Sequence, residues 1–280
     1  MIDKDILLKE ITSNFDNMFN RQFFKNNSLI KKLNLKDVEL NYFIEENNEA
    51  INVKIVRDKN NKNKYTIIFY YGFLEYFFKQ AQHFAKDILK RNDKIYWTVF
   101  YYWMEMAFLH EWSHLIRNHF NLLTKKASFS EFGVNSNDLS NENRKCLEID
   151  ADRFAGKFFA GIASLTFNNL KELLNKTNEE ILQFFIKITY YLFHLLEEQS
   201  NIYPPTLLRT IIFLSGFQEA KYQNDKIFNF INLNKLEQIV IKVLIKESLI
   251  NENDIQTLEQ NIHVFEKYNK CIKELLNGRN

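Results

Sequence analysis

Tyr96-Trp97-Thr98-Val99-Phe100-Tyr101-Tyr102-Trp103-Met104-Glu105-Met106-Ala107-Phe108-Leu109-His110-Glu111-Trp112-Ser113-His114 carries apolar side chains on every helical face and ends in a pair of histidines. A helix that is apolar all round is normally central and buried, so its aromatic residues read as core and the helix as the axis of the fold. Four residues of α-helix advance the chain by about 400°, so both imidazoles leave one face about 6 Å apart along the axis and can converge on one ion. Glu111 is rotated by about 100° from His110, off the ligand row but near enough to take a proton from water. This His-Glu-x-x-His pattern is that of a helix-borne zinc site with Glu111 as its base. With six histidines in 280 residues, an accidental match has a probability on the order of one per cent, which favours the chemical reading.

A catalytic zinc keeps three protein ligands and one open position. The extended metzincin pattern would need glycine at position 117 and histidine at position 120, where this chain has Arg117 and Phe120, with His119 one place early. The alternative is a carboxylate on a second helix. Glu148, Asp152, Ala155 and Phe159 form one helical stripe beside Leu147, Ala151, Phe154 and Phe158, which places two acids on an apolar, inward-facing surface. Buried acids need partners, and a zinc ion with its histidines supplies them. Glu148 is therefore the expected third ligand. Asp152, one turn on, is expected to accept the distal ring proton of His110 or His114. Glu131, Glu142, Glu197 and Glu198 compete, but their polar neighbours place them at the surface.

These elements, followed by Tyr203-Pro204-Pro205 and Arg209, resemble the ordered signature of the gluzincin peptidases. Among these, the soluble phage-exclusion peptidase (Lit) family is similar in length and in the aromatic stretch before the motif; the likeness is strongest over residues 65–217. The resemblance implies a zincin-like fold and a zinc endopeptidase acting on a protein substrate, such as a host translation factor during phage infection. Tyr203 stands where related families carry histidine. Its hydroxyl, or the imidazole of His194, would then donate to a developing oxyanion. Arg209 matches the family arginine and would order that segment or bind a substrate carboxyl group.

The longest charge-free stretch, Phe158 to Leu170, is too short for a membrane span. Met1-Ile2-Asp3-Lys4-Asp5 has no basic region leading into an apolar core, so the expected location is cytoplasmic. Cys146 and Cys271 are too few for a disulfide framework and read as free thiols. Lys and Arg number 37 against 35 Asp and Glu, a formal charge of +2 that gives no footprint for nucleic acid. A 46% hydrophobic content, with 26% charged residues, fits one globular α+β, mainly α domain over residues 1–280.

Within it, residues 1–71 read as a helix (3–20) and a small antiparallel sheet, 72–220 as the catalytic helical core and 221–280 as C-terminal helices. Residues 38–44 and 51–56 alternate in strand period and 65–71 is a β-rich run, the three forming a meander, with a polar turn at 59–63 and Gly72 closing the third. Tyr65 to Tyr71 is the candidate edge for an extended substrate, against an interior strand as the alternative. Helices are expected at 73–90, from an Asp93 N-cap into the motif, at 142–174, 179–198, 205–217, 235–250 and 254–276. The polar segment 124–141 joins the two ligand helices as a surface loop, with a lid as the second reading. Two rivals to a plain peptidase stand. One is a latent toxin or defence factor awaiting a phage component or partner protein; the other is a metal-binding interaction scaffold, against which the intact Glu111 argues.

Overall fold

A computed structural model describes residues 4–20, 38–46, 50–91, 94–122, 128–130, 141–197, 203–219, 233–260 and 270. Helix α1 (Lys4–Asn20) is followed by β1 (Glu39–Glu45), β2 (Val53–Arg57) and β3 (Lys64–Tyr70). Helices α2 (Tyr71–Asp87) and α3 (Ile95–Ile116), a 3₁₀ turn at His119–Leu122 and the short strand β4 (Ser128–Ser130) come next. Then follow α4 (Asn141–Leu174), α5 (Asn178–Glu197), α6 (Thr206–Glu219) and α7 (Leu233–Lys246). The result is a mainly helical α+β fold. Asp93, Cys271, residues 123–127 and 131–140 and most of 261–280 lie outside the described residues, and with them the expected Asp93 cap and the far end of the last helix. Of the expected surface loop at 124–141 the structure describes 128–130, which form a strand on β2 instead of a loop, and Asn141, where α4 begins. No helix among the described residues is long and apolar enough to cross a membrane.

The sheet corrects the expected meander. Its order is β1-β3-β2-β4, with β1 parallel to β3 and β2 antiparallel to both β3 and β4. The physical reason begins at the turn. Asp58 Oδ1 accepts the Asn60 and Asn61 N–H groups at 2.7 and 2.9 Å, an Asx turn that ties β2 to β3 as a hairpin. On its other side β2 meets β4 and the Glu111 carboxylate, so β1 is left the far edge of β3. Tyr65 to Tyr71 is therefore no substrate edge: β3 lies between β1 and β2. Nor does Gly72 close it. Tyr70 ends the strand and the chain enters α2 directly, with Gly72 buried in the first turn.

Alternation decides the faces. Val53, Ile55, Tyr65, Ile67 and Phe69 point inward, and Phe15 of α1 meets Phe69 with ring centroids 4.6 Å apart, while Leu7 and Ile11 are buried on the same face of α1 at the i, i+4, i+8 spacing. Helix α3 is buried along most of its length, as the all-round apolar pattern predicts. Trp103 fixes it against α5 by donating its indole N–H to the Ile188 carbonyl at 2.9 Å.

Helices α4 and α6 cross at backbone contact. A Cβ on Gly156 would stand 1.9 Å from the Phe213 carbonyl oxygen, and one on Gly216 would stand 2.2 Å from that of Arg153. Only hydrogen at both positions permits the approach, which brings Asp152 and Arg209 into contact. At the start of α6, Thr206 donates its N–H to Glu197 Oε2 at 3.0 Å and its hydroxyl to the same carboxylate. Glu197 thus caps this helix from the end of α5.

Candidate metal centre

Helices α3 and α4 bring His110, His114 and Glu148 together, and this buried group can hold a metal ion. His110 Nε2 stands 3.0 Å from Glu148 Oε2 and 3.2 Å from His114 Nε2, and the third edge, His114 Nε2 to Glu148 Oε2, is 3.7 Å. Ligands about 2.0–2.1 Å from a tetrahedral zinc lie about 3.3 Å from one another, so the three edges bracket the required spacing. The donor set fits as well: two imidazole nitrogens and one carboxylate oxygen suit zinc or a similar divalent ion.

Both imidazoles turn their Nδ1 atoms away from the convergence. His110 Nδ1 donates to Asp152 Oδ1 at 2.9 Å, the link expected from sequence. Asp152 is in turn held by Arg209, whose Nε and Nη2 donate to its two oxygens at 2.7 and 2.9 Å. Asp152 and Arg209 are both fully buried. Burial alone would raise the Asp152 pKa, but the Arg209 charge and hydrogen bonds and those of His110 outweigh it and hold the carboxyl low.

The second imidazole has a partner that sequence reasoning passed over. Helix α3 ends where Asn118 adopts φ 61°, a left-handed residue that reverses the chain, with its N–H on the Leu115 carbonyl at 2.9 Å. The reversal folds His119 back so that its Nδ1 lies 2.8 Å from His114 Nδ1. His119 Nε2 faces Asp150 Oδ2 at 3.0 Å, and Arg117 donates to Asp150 through Nε at 2.6 Å and Nη2 at 3.2 Å. Asp150 also has its pKa lowered: burial raises it, and His119 and Arg117 more than offset that. The signal in sequence is the second acid of Glu148-Ile149-Asp150-Ala151-Asp152, set beside Arg117 and His119 just after the motif.

Burial pushes the His114 imidazole down to about 4, so it is neutral at neutral pH, the form that offers a lone pair to a metal. Glu148 is lowered: burial opposes its charge, and His114 and His110 together favour it more strongly. Glu111 is completely buried, and its Oε2 accepts the Ile55 N–H of β2 at 2.8 Å. That N–H points away from β3, because Asn52 and Asp58, which flank β2 three residues to either side of Ile55, are the ones that bond Tyr70 and Lys64 of β3. The carboxylate therefore lies on the side of β2 that β4 also flanks.

The remaining expectations divide. Arg209 is 0% exposed and its Nε and Nη2 donate to Asp152, so its guanidinium faces that carboxylate and not solvent. Tyr203 is buried with its ring 4.4 Å from the Arg209 guanidinium, which also lies 4.3 Å from the Phe193 ring. His194 is not brought to the cluster. It is exposed on α5 and stacks on Tyr190, while its neighbour Phe193 is the residue that turns inward to Arg209. Cys146 is buried. Comparison with protein-family models, curated proteins and solved structures finds no match to this chain.

Proposed function

We propose that this chain is a zincin-like, zinc-dependent endopeptidase of the gluzincin kind, acting on a protein substrate. The observation that carries the reading is the convergence of His110 Nε2, His114 Nε2 and Glu148 Oε2 at 3.0–3.7 Å, with Glu111 next to His110 on the same buried helix. A zinc ion held by these three residues would supply Lewis acidity, polarising a scissile carbonyl and acidifying water. Glu111 takes the proton of the attacking water and delivers it to the leaving amine. Its Oε2 is occupied by the Ile55 N–H, which fixes the carboxylate rotamer and assigns proton transfer to Oε1. Asp152 and Arg209 hold His110 in position, and Tyr203, packed on Arg209, is the expected oxyanion donor that this reading keeps over the exposed His194.

Glu111→Gln tests this directly. It should retain about one metal ion per chain while abolishing cleavage, and retained cleavage in this variant would sink the assignment. Comparing the proteomes of cells that express the native protein and Glu111→Gln would reveal the substrate. Burial of the whole cluster, with His110, Glu111, His114 and Glu148 between 0% and 7% exposed, favours a latent form of the same enzyme that a partner opens. Cleavage that appears only when a phage component is added would establish that form. A chain that takes up no zinc under any condition would instead be an interaction scaffold.

A further inference from the structure

We infer that His119 is the positioning residue for His114: it accepts the His114 Nδ1 proton and so turns the Nε2 lone pair toward the metal, with Asp150 and Arg117 setting the direction. The inference rests on the metal-site reading above and is independent of peptide hydrolysis.

A neutral imidazole carries one proton on two nitrogens, and which one holds it is decided by its partners. Two Nδ1 atoms 2.8 Å apart share a single proton, so one ring must donate and the other accept. Were His119 the donor, its Nε2 would turn a lone pair on the Asp150 carboxylate at 3.0 Å, and His114 would carry its proton on Nε2, where the ion has to bind. With His114 as donor, His119 accepts at Nδ1 and gives its own Nε2–H to Asp150. Every contact is then attractive.

Arg117 keeps Asp150 an acceptor by donating to both of its oxygens, and the guanidinium is itself fixed 4.2 Å over the Phe154 ring. His119 is 0% exposed, so water does not replace it as the acceptor. The construction repeats, with one imidazole inserted, the chain from His110 through Asp152 to Arg209. Each candidate ligand histidine is thus oriented by a carboxylate that is clamped by its own arginine.

The test is metal affinity, measured by chelator competition for zinc and by the visible spectrum of the Co²⁺ protein. The proteins compared are the native chain, His119→Leu, His119→Asn and His114→Ala, each checked for fold by circular dichroism. His119→Leu should weaken binding by about 10 to 100-fold. His119→Asn should recover most of that loss, because its amide oxygen can sit where Nδ1 accepts, whereas a role in packing alone would be served as well by leucine. Native-like affinity in His119→Leu overturns the proposal, as does an asparagine variant no better than leucine. If His114→Ala loses the metal and His119→Leu does not, the positioning role falls while the site stands; if the folded native chain binds no metal, the site reading falls and takes this proposal with it. Should His119→Leu fail to fold, side-chain ¹⁵N spectra of the zinc-loaded native protein decide. A proton on His114 Nδ1 upholds the proposal, and its absence there overturns it.

Discussion

Asp152 Oδ1 lies 2.9 Å from His110 Nδ1 and 2.9 Å from Arg209 Nη2, so a single carboxylate oxygen joins a candidate metal ligand to a guanidinium on another helix. Both charges are removed from water, where an ion pair survives only with its hydrogen bonds complete. Arg209→Met should therefore destabilise the fold by about 3–5 kcal/mol, read by denaturant unfolding, because Asp152 would be left as an uncompensated buried charge. Arg209→Lys should fall between, since an ammonium cannot reproduce the two-pronged contact. Equal stability of native and Arg209→Met would remove this pair from the account of how the site is held.

The crossing that makes this contact is equally exposed to test. Gly156→Ala sets a methyl group against a backbone carbonyl, which cannot swing aside as a side-chain end can. Overpacking of this kind costs about 3 kcal/mol, and the expected outcome is a melting point lower by several degrees. Metal affinity should drop with it, since separating α4 from α6 parts Asp152 from Arg209. An alanine variant with native melting temperature would show that the helices do not cross as closely as described.

The parts of this arrangement differ in how far sequence could reach them. His110, Glu111 and His114 were legible because helical spacing alone puts them near one ion, and Glu148 and Asp152 because four residues return to the same face. Asp150 was not. It lies about 200° around the helix from Glu148, off the stripe, and is buried only because the chain turns back after Asn118 and covers it. Arg209 matched a pattern, yet its partner depends on a glycine crossing that no periodicity reveals. In the sheet, alternation marked strands but carries no information about neighbours, so the parallel pairing of β1 with β3 could not be read from it.

Glu111 joins the sheet to the site, and its variants should separate those duties. Glu111→Gln keeps an oxygen for the Ile55 N–H, so unfolding should shift by less than about 1 kcal/mol. Glu111→Leu leaves that buried donor without its acceptor and should cost about 1–3 kcal/mol. If both variants are equally stable in denaturant titrations, the contact with β2 has no energetic weight.

Acid should unfold the protein through the same cluster. Burial holds the His114 pKa down to about 4, against an unfolded histidine near 6.5. Between these values the unfolded chain binds a proton that the folded chain refuses, so stability rises with pH across the window. The contribution is complete above about pH 6.5 and is lost as pH falls toward 4, amounting to about 3 kcal/mol for a group this buried. Asp152 and Glu148, whose pKa values are also lowered by folding, extend the loss further into acid with the same sign. His114→Gln should flatten the upper part of the profile, between about pH 6.5 and 4, and leave the lower part steep. Measured with chelator present to exclude metal, an unchanged slope in that variant would assign the acid sensitivity elsewhere.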